Sequence, residues 1–423
     1  MTDFANHWPL YLQALLGIGV FTALALPFSS SIRRVSWKLV GAAVVIQFVI
    51  CALLIKVPVI SAALGYVNRA VGALGAATAQ GTTFVYGYLG GGATPFTVTN
   101  PGALTTFAFN VLPLVIVMSA LSALLWYWRV LPIVINAIAY VFERVLGTRG
   151  PAGLAATANI FLGQVEAPLL VRPYLARMTR YELLLVMTAG MATIAGSVMV
   201  IYSAMLGAQF NGVLGQLITK SIMSVPASIL FAHVMLPEDN DSKQALETPP
   251  KIYTGAMDAV TRGTSDGLNI YLNILAILIV LIAFVALLNG AIGSLPDVAG
   301  TPLTLERIAG WIFAPIAWLM GIPWNEAPTS GSLLGIKSVL NEFIAYLKLA
   351  DIPASQLSDR SRLITIYGLC GFANLSSIGI QISGIGAMAP ERKKDLGELA
   401  FRAFIGATLA SCMTGCVVGI VSG

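Results

Sequence analysis

Between Asn159 and Arg172 the chain reads NIFLGQVEAPLLVR, which places Asn159, Gln164 and Glu166 inside an otherwise apolar run that Gly163 and Pro168 interrupt. In a bilayer, backbone leaves the helix only where protein or a water-filled cavity satisfies the freed groups, and a central carboxylate costs about 2.5 to 3.5 kcal/mol even on insertion scales. The stretch is therefore expected to face a site; the plainer alternative is a carboxylate satisfied by a neighbouring helix for packing specificity. Later segments have the same character: AGMATIAGSV at 189–198, with Thr193, Gly196 and Ser197; NEF at 341–343, with Glu342; and GFANLSSIGIQISG at 371–384, with Asn374 and Ser377. Carboxylates and amides of this kind bind through hydrogen bonds. A membrane enzyme would need a nucleophile and base or a metal centre, and Ser376, Ser377 and Ser383 have no His or Lys beside them in sequence.

The elements that position these residues follow from composition. Of the 423 residues, 57% are hydrophobic and only 10% charged, with mean hydropathy +0.83, whereas soluble proteins carry about 25% charged residues. The expected class is an all-α polytopic membrane protein. A net charge of +5 does not point to nucleic acid, because the Lys and Arg residues are spread through short loops and no soluble basic domain exists. Cys51, Cys370, Cys412 and Cys416 lie in apolar segments and read as small buried hydrophobes, and with only His7 and His233 there is little for zinc or haem to use.

The first span is expected from about Trp8 to Phe28, with no cleavable signal, and Arg33, Arg34 and Lys38 after it put the amino terminus outside. A second span runs from about Leu39 to Val59. The next segment, to about Gly92, suits a helix on the membrane surface that need not cross. A third span covers about Leu104 to Trp128, and an interfacial amphipathic helix Pro132 to Arg149. A re-entrant hairpin then enters from the cytoplasm near Gly150 and returns by Arg180. Tyr181 to Leu206 crosses as a broken helix, and Leu214 to Leu236 returns. The hydrophilic connection 237–251 is a cytoplasmic loop, and Leu268 to Ala291 is a long outward helix. After an interfacial segment within 292–322, residues 323–349 form a second hairpin from the opposite face, since neither half is long enough to span. Residues 363–388 cross inward, interrupted, and Leu396 to Val421 leaves the carboxyl terminus outside.

This gives eight transmembrane helices plus two opposed re-entrant hairpins in an inverted repeat, with interfacial helices. By region, 1–149 is largely scaffold; 150–236 holds the first hairpin, broken helix and following span; 237–267 is the loop region; 268–322 is scaffold; and 323–423 holds the second hairpin, broken helix and last span. Paired interrupted segments at corresponding positions point to a transporter site near the midplane.

The segments GQVEAPLLVRPYL, NEF at 341–343 and GFANLSSIGIQISGIG at 371–386 closely resemble the concentrative nucleoside transporters, and the order of elements resembles that family through nearly the whole chain. The resemblance implies a homotrimer in a bacterial inner membrane, working as an elevator that imports nucleosides with a sodium or proton gradient. By the same resemblance, Gln164, Val165 and Glu166 recognise the base, Glu342, Asn374 and Ser377 the ribose, and Val198, Phe372 and Ile378 pack around the substrate. A neutral, hydroxyl-rich ligand suits such acceptors and amides, and Lys337 and Arg360, the nearby cations, are expected to be surface or hairpin anchors. The implied sodium site joins the side chains of Asn159 and Thr193 to the carbonyls of Leu162 and Ile194, an oxygen shell of the kind a hard cation needs. Where many relatives carry Ser or Thr after the Gln, this chain has Val165, which removes one hydroxyl near the base and favours a pyrimidine nucleoside such as uridine. The alternatives are proton coupling through Glu166 or Glu342, and a nucleoside-permeable channel.

Overall fold

The structure, a computed structural model, describes residues 2–99, 104, 106–148, 150–207, 210, 212–237, 253–298, 300–353 and 355–422. Helix dominates, as it must where hydrocarbon leaves backbone groups no solvent partner. Among the described residues the only β pairing is an isolated bridge between Val298 and Thr301. The chain opens with α1 (Thr2–Ala25), α2 (Trp37–Lys56) and α3 (Pro58–Tyr86); a π-helical turn at Phe107–Val111 leads into α4 (Leu114–Tyr127), and α5 (Val130–Leu146) follows. The first repeat contains α6 (Gly150–Ala158), α7 (Glu166–Leu169), α8 (Arg172–Leu175), α9 (Arg180–Ala192), α10 (Gly196–Leu206) and α11 (Val213–Met235). The expected cytoplasmic loop 237–251 falls, beyond Pro237, outside the described residues, but the loop region expected to run to 267 is shorter, because the next helix already begins at Ala256. Then come α12 (Ala256–Ile292), α13 (Leu305–Leu319), α14 (Ala327–Val339), α15 (Glu342–Asp351), α16 (Asp359–Leu369), α17 (Leu375–Met388) and α18 (Lys393–Val421).

Eight helical segments among the described residues are long and apolar enough to cross a membrane, but they are not quite the eight the sequence pattern suggests. Pro58–Gly90, expected on the membrane surface, joins the set as its least apolar member. The broken helix α16–α17 does not, because the interruption at 370–374 leaves two pieces of 11 and 14 residues. That interruption is also shorter than the GFANLSSIGIQISG motif: α17 is continuous from Leu375, so only the first residues of the motif leave the helix. In the first broken helix the gap is Thr193–Ala195, inside AGMATIAGSV as expected.

Polar side chains start the helices that matter for the site. Thr179 and Glu182 form a reciprocal capping box at α9, and Asn341, Ser358 and Asn374 each accept a backbone N–H at the first turn of α15, α16 and α17. The most apolar stretch of Arg180–Leu206 is 94% buried and that of Val213–Met235 is 89% buried, against 11% for Ala256–Ile292. The two breaks thus lie at the centre of the molecule, while α12 lies at its periphery.

Candidate substrate and ion site

The second hairpin explains why its motif has that spelling. At 1.5 Å per residue, α14 and α15 are only about 20 Å and 15 Å long, short of a hydrocarbon core of about 30 Å, and they pack on each other. Asn341 Oδ1 accepts from Ile344 N at 2.9 Å and so starts α15, which makes Glu342 its first residue. A carboxylate is favoured at that end of a helix by the peptide dipoles. Glu342 is buried, and each of its oxygens already has one donor: Tyr202 Oη at 3.0 Å and Asn374 Nδ2 at 2.9 Å. Asn374 Oδ1 in turn accepts from Ser377 N at 2.9 Å and Ser376 Oγ at 2.7 Å.

The first hairpin joins this network through Gln164, whose Nε2 donates to Ser377 Oγ at 3.2 Å, while its Oε1 is buried without a partner. Glu166, next along the tip, turns its carboxylate back over Gly163, where any Cβ would collide with Oε2. Val165 packs its two methyls against the backbone of Gly384 on α17, where a Cβ would sit 2.8 Å from each of them. Polar groups about half the chain apart are therefore wired together, and what remains open is acceptor capacity. A carboxylate oxygen takes two hydrogen bonds, so Glu342 can accept from two more donors.

These groups surround a cavity of about 730 Å³, within the range of roughly 300 to 1,000 Å³ usual for small-molecule sites. Gln164, Val165, Glu166, Val198, Glu342, Phe372, Asn374 and Ser377 all line it. Ile378 does not: on a helix the neighbours Ser376 and Ile380 share a face, and Ile378 points about 200° away from Ser376, half-buried against the core. Among the lining residues that the sequence does not single out, three carry polar or positional information. Tyr202, one helical turn after Val198, reads as an ordinary core aromatic, and it does stack on Tyr346 at 4.4 Å, yet its hydroxyl reaches Glu342. Ile380 lies one turn beyond Ser376, and Asn273 is the single amide on a wall that α12 otherwise builds from aliphatic side chains such as Ile270, Ile274 and Ile277.

The four candidate ion ligands lie beside the cavity, not on it. Phe161 O accepts from Gly196 N at 2.9 Å, which pins the first hairpin tip to the break between α9 and α10. Asn159 is fully buried and its Oδ1 has no partner; Thr193 Oγ1 donates to Ala189 O at 2.8 Å, which leaves its lone pairs open. Among the described residues nothing donates to the carbonyls of Leu162 or Ile194. This donor set, four neutral oxygens on two segments held together, fits a hard monovalent cation.

The cations stay out of the cavity. Lys337 is not at the surface: it is buried and donates to Gly368 O at 2.8 Å, as an anchor between the second hairpin and α16. Arg360 holds Gly419 O at 2.8 Å. Neither offers a charge to an anionic substrate. The four cysteines are buried and free.

Family models described as the Na+ dependent nucleoside transporter amino terminus and carboxyl terminus match residues 16–89 and 216–419, and one described as nucleoside recognition matches 108–209. The chain is 34% identical to the nucleoside permease NupC of Helicobacter pylori, covering 97% of this chain and 98% of that protein. It is 33% identical to the mouse sodium/nucleoside cotransporter 1 over 98% of this chain and 64% of the longer mouse protein. It is also similar to the solved structure of CNTnw in an inward-facing substrate-bound state, at 36% identity with a TM-score of 0.88 and 98% coverage of both chains. With matches along nearly its full length and a cavity of the matching chemistry, this chain belongs to the concentrative nucleoside transporter family, a family of membrane transporters and not of enzymes.

Proposed function

We propose that the protein imports nucleosides, uridine among them, by symport with sodium, as a homotrimer in a bacterial inner membrane with both termini outside. The binding unit comprises the two hairpins, the two broken helices and their following spans (150–236 and 323–423). It moves as an elevator against a scaffold formed by 1–149 and 268–322, and the cavity is exposed to one side at a time. The ribose hydroxyls donate to the open lone pairs of Glu342 and accept from Asn374, while Gln164 and Glu166 read the base edge and Phe372 and Val198 pack on the rings. Val165, apolar where a hydroxyl would read the base, favours a small pyrimidine.

The observation that carries the sodium reading is the buried, unpartnered Oδ1 of Asn159 beside a hairpin tip already bonded to the α9–α10 break. A buried acceptor without a partner costs about 1 to 3 kcal/mol, a cost that a bound cation removes. Uptake of labelled uridine and adenosine into proteoliposomes, with a sodium gradient, a proton gradient or none, tests the whole reading. Sodium-driven accumulation that saturates with uridine is the expected result. Accumulation driven by protons alone would move the coupling to Glu166 or Glu342, and flux that neither saturates nor needs a gradient would make the protein a channel.

A further inference from the structure

The two broken helices meet at their breaks. Gly371, at φ +152°, lies against the carbonyls of Met191 and Ala192, and a Cβ there would be 2.9 Å from Ala192 O. One residue on, Phe372 N donates to Thr193 O at 3.2 Å. The C-terminal ends of α9 and α16 are therefore brought together, although both carry partial negative charge from their unpaired carbonyls. Two such ends repel unless something positive lies between them.

That something is Lys220. It comes from α11, is fully buried, and donates through Nζ to Ala192 O, to Cys370 O, and to Ser411 Oγ of α18 at 3.3 Å. Three oxygens match the three hydrogens of an ammonium group. Among the described residues no carboxylate pairs with it, so the carbonyl ends are what balance its charge. The connectivity beyond these carbonyls gives the arrangement its meaning. The chain leaving Ala192 carries Thr193 and Ile194, two of the candidate ion ligands, and the chain leaving Cys370 carries Phe372 and Asn374, two of the substrate residues.

We propose that Lys220 is a positioning residue that couples the ion to the nucleoside: its ammonium clamps the ends of α9 and α16 into one junction, so that cation and nucleoside stabilise the same arrangement. The proposal rests on the sodium–nucleoside reading above. Coupling of this kind is reciprocal, each ligand tightening the other by the same factor. Lys337 is the natural contrast, because its ammonium holds Gly368 O of α16 and nothing of α9.

The test is binding of labelled uridine to purified protein, with and without saturating sodium, the ratio of the two Kd values being the coupling factor. In the wild type sodium is expected to tighten uridine severalfold or more. Lys220→Met should bring that factor close to one and raise both the sodium concentration for half-saturation and the uridine Kd. Lys337→Met should raise the uridine Kd and leave the sodium requirement in place. A Lys220→Met protein with the wild-type coupling factor overturns the proposal alone, whereas a wild type indifferent to sodium overturns the sodium reading and the proposal with it. If Lys220→Met does not fold, Gly371→Ala addresses the same junction, by adding a Cβ against Ala192 O while keeping the ammonium. It should lower the factor severalfold, and an unchanged factor overturns the proposal equally well.

Discussion

The two repeats build the same device, a hairpin beside a broken helix, and complete it differently. In the second, both oxygens of Glu342 and both polar atoms of the Asn374 amide have partners within the protein. In the first, Asn159 Oδ1 and Gln164 Oε1 are buried with none. A satisfied polar network is rigid and presents its spare lone pairs in a fixed direction, whereas an unsatisfied acceptor is a standing cost that only a ligand relieves. On the function proposed above, the Glu342–Asn374 pair of the second repeat is the preformed reader of hydroxyls, and Asn159 and Gln164 of the first are the groups whose cost depends on what is bound.

Glu342→Gln breaks the preformed side and should have the largest effect. An amide can still meet Asn374 with its oxygen and Tyr202 with its nitrogen, so the fold should hold, but it cannot also accept from two ribose hydroxyls. Losing a charge-assisted hydrogen bond costs about 1.5 to 3 kcal/mol, or roughly ten- to a hundredfold in affinity. Near wild-type uridine affinity in a folded Glu342→Gln protein would remove this residue from the site.

Asn159→Ala and Thr193→Ala act on the unsatisfied side. Each should raise the sodium concentration for half-maximal uptake several times over, with saturated transport less affected. Asn159→Ala carries a sharper signature, because deleting an unpartnered acceptor removes its cost: melting without sodium should be unchanged or higher, and the sodium-induced rise in Tm should shrink. Unchanged sodium dependence in both variants would dissolve the contrast between the repeats.

A smaller effect is expected from Tyr202→Phe, which takes one donor from Glu342 while keeping the ring on Tyr346. The bond lost orients Glu342 and is not itself a contact to the ligand, so uridine affinity should fall about three- to tenfold, less than for loss of the charge-assisted bond itself, with sodium dependence intact. If the sodium requirement moves as much as the affinity, the two sides are not separable at this residue.

Val165→Thr should do least. It exchanges a methyl for a hydroxyl at nearly constant shape, and the new group should tighten or broaden base binding by about 0.5 to 1.5 kcal/mol. Competition of uridine uptake by cytidine, adenosine and guanosine reads this directly, and identical profiles in both proteins would show that residue 165 does not face the base.

Much of this site could be read from the chain because membranes make polar residues conspicuous. Glu166, Glu342 and Asn374 stand out where any charge or amide is expensive, and Gly and Pro beside them mark where helices stop. Tyr202 did not stand out, since an aromatic in an apolar helix is the ordinary case and only the Glu342 contact gives it a role. Lys220 is as conspicuous as Glu342 in principle, but its partners are carbonyls of Ala192 and Cys370, and no pattern of side chains announces a bond to backbone. Asn273 was hidden for a different reason: the sequence shows α12 as a long helix, though it misses the twelve residues before Leu268, and which of its faces closes a cavity depends on packing with distant helices. The placement of α3 was ambiguous because its length and composition permit both a crossing and a surface helix.

The wall contributed by α12 bears on ligand chemistry. Whichever edge of a bound molecule faces Ile270, Ile274 and Ile277 meets methyl groups that neither donate nor accept, and only Asn273 interrupts them. Recognition is thus one-sided. If the proposed binding mode holds, a nucleoside analogue with an alkyl linker on that edge should keep its hydrogen bonds to the hairpins, which makes the aliphatic side of the cavity the place to attach a reporter.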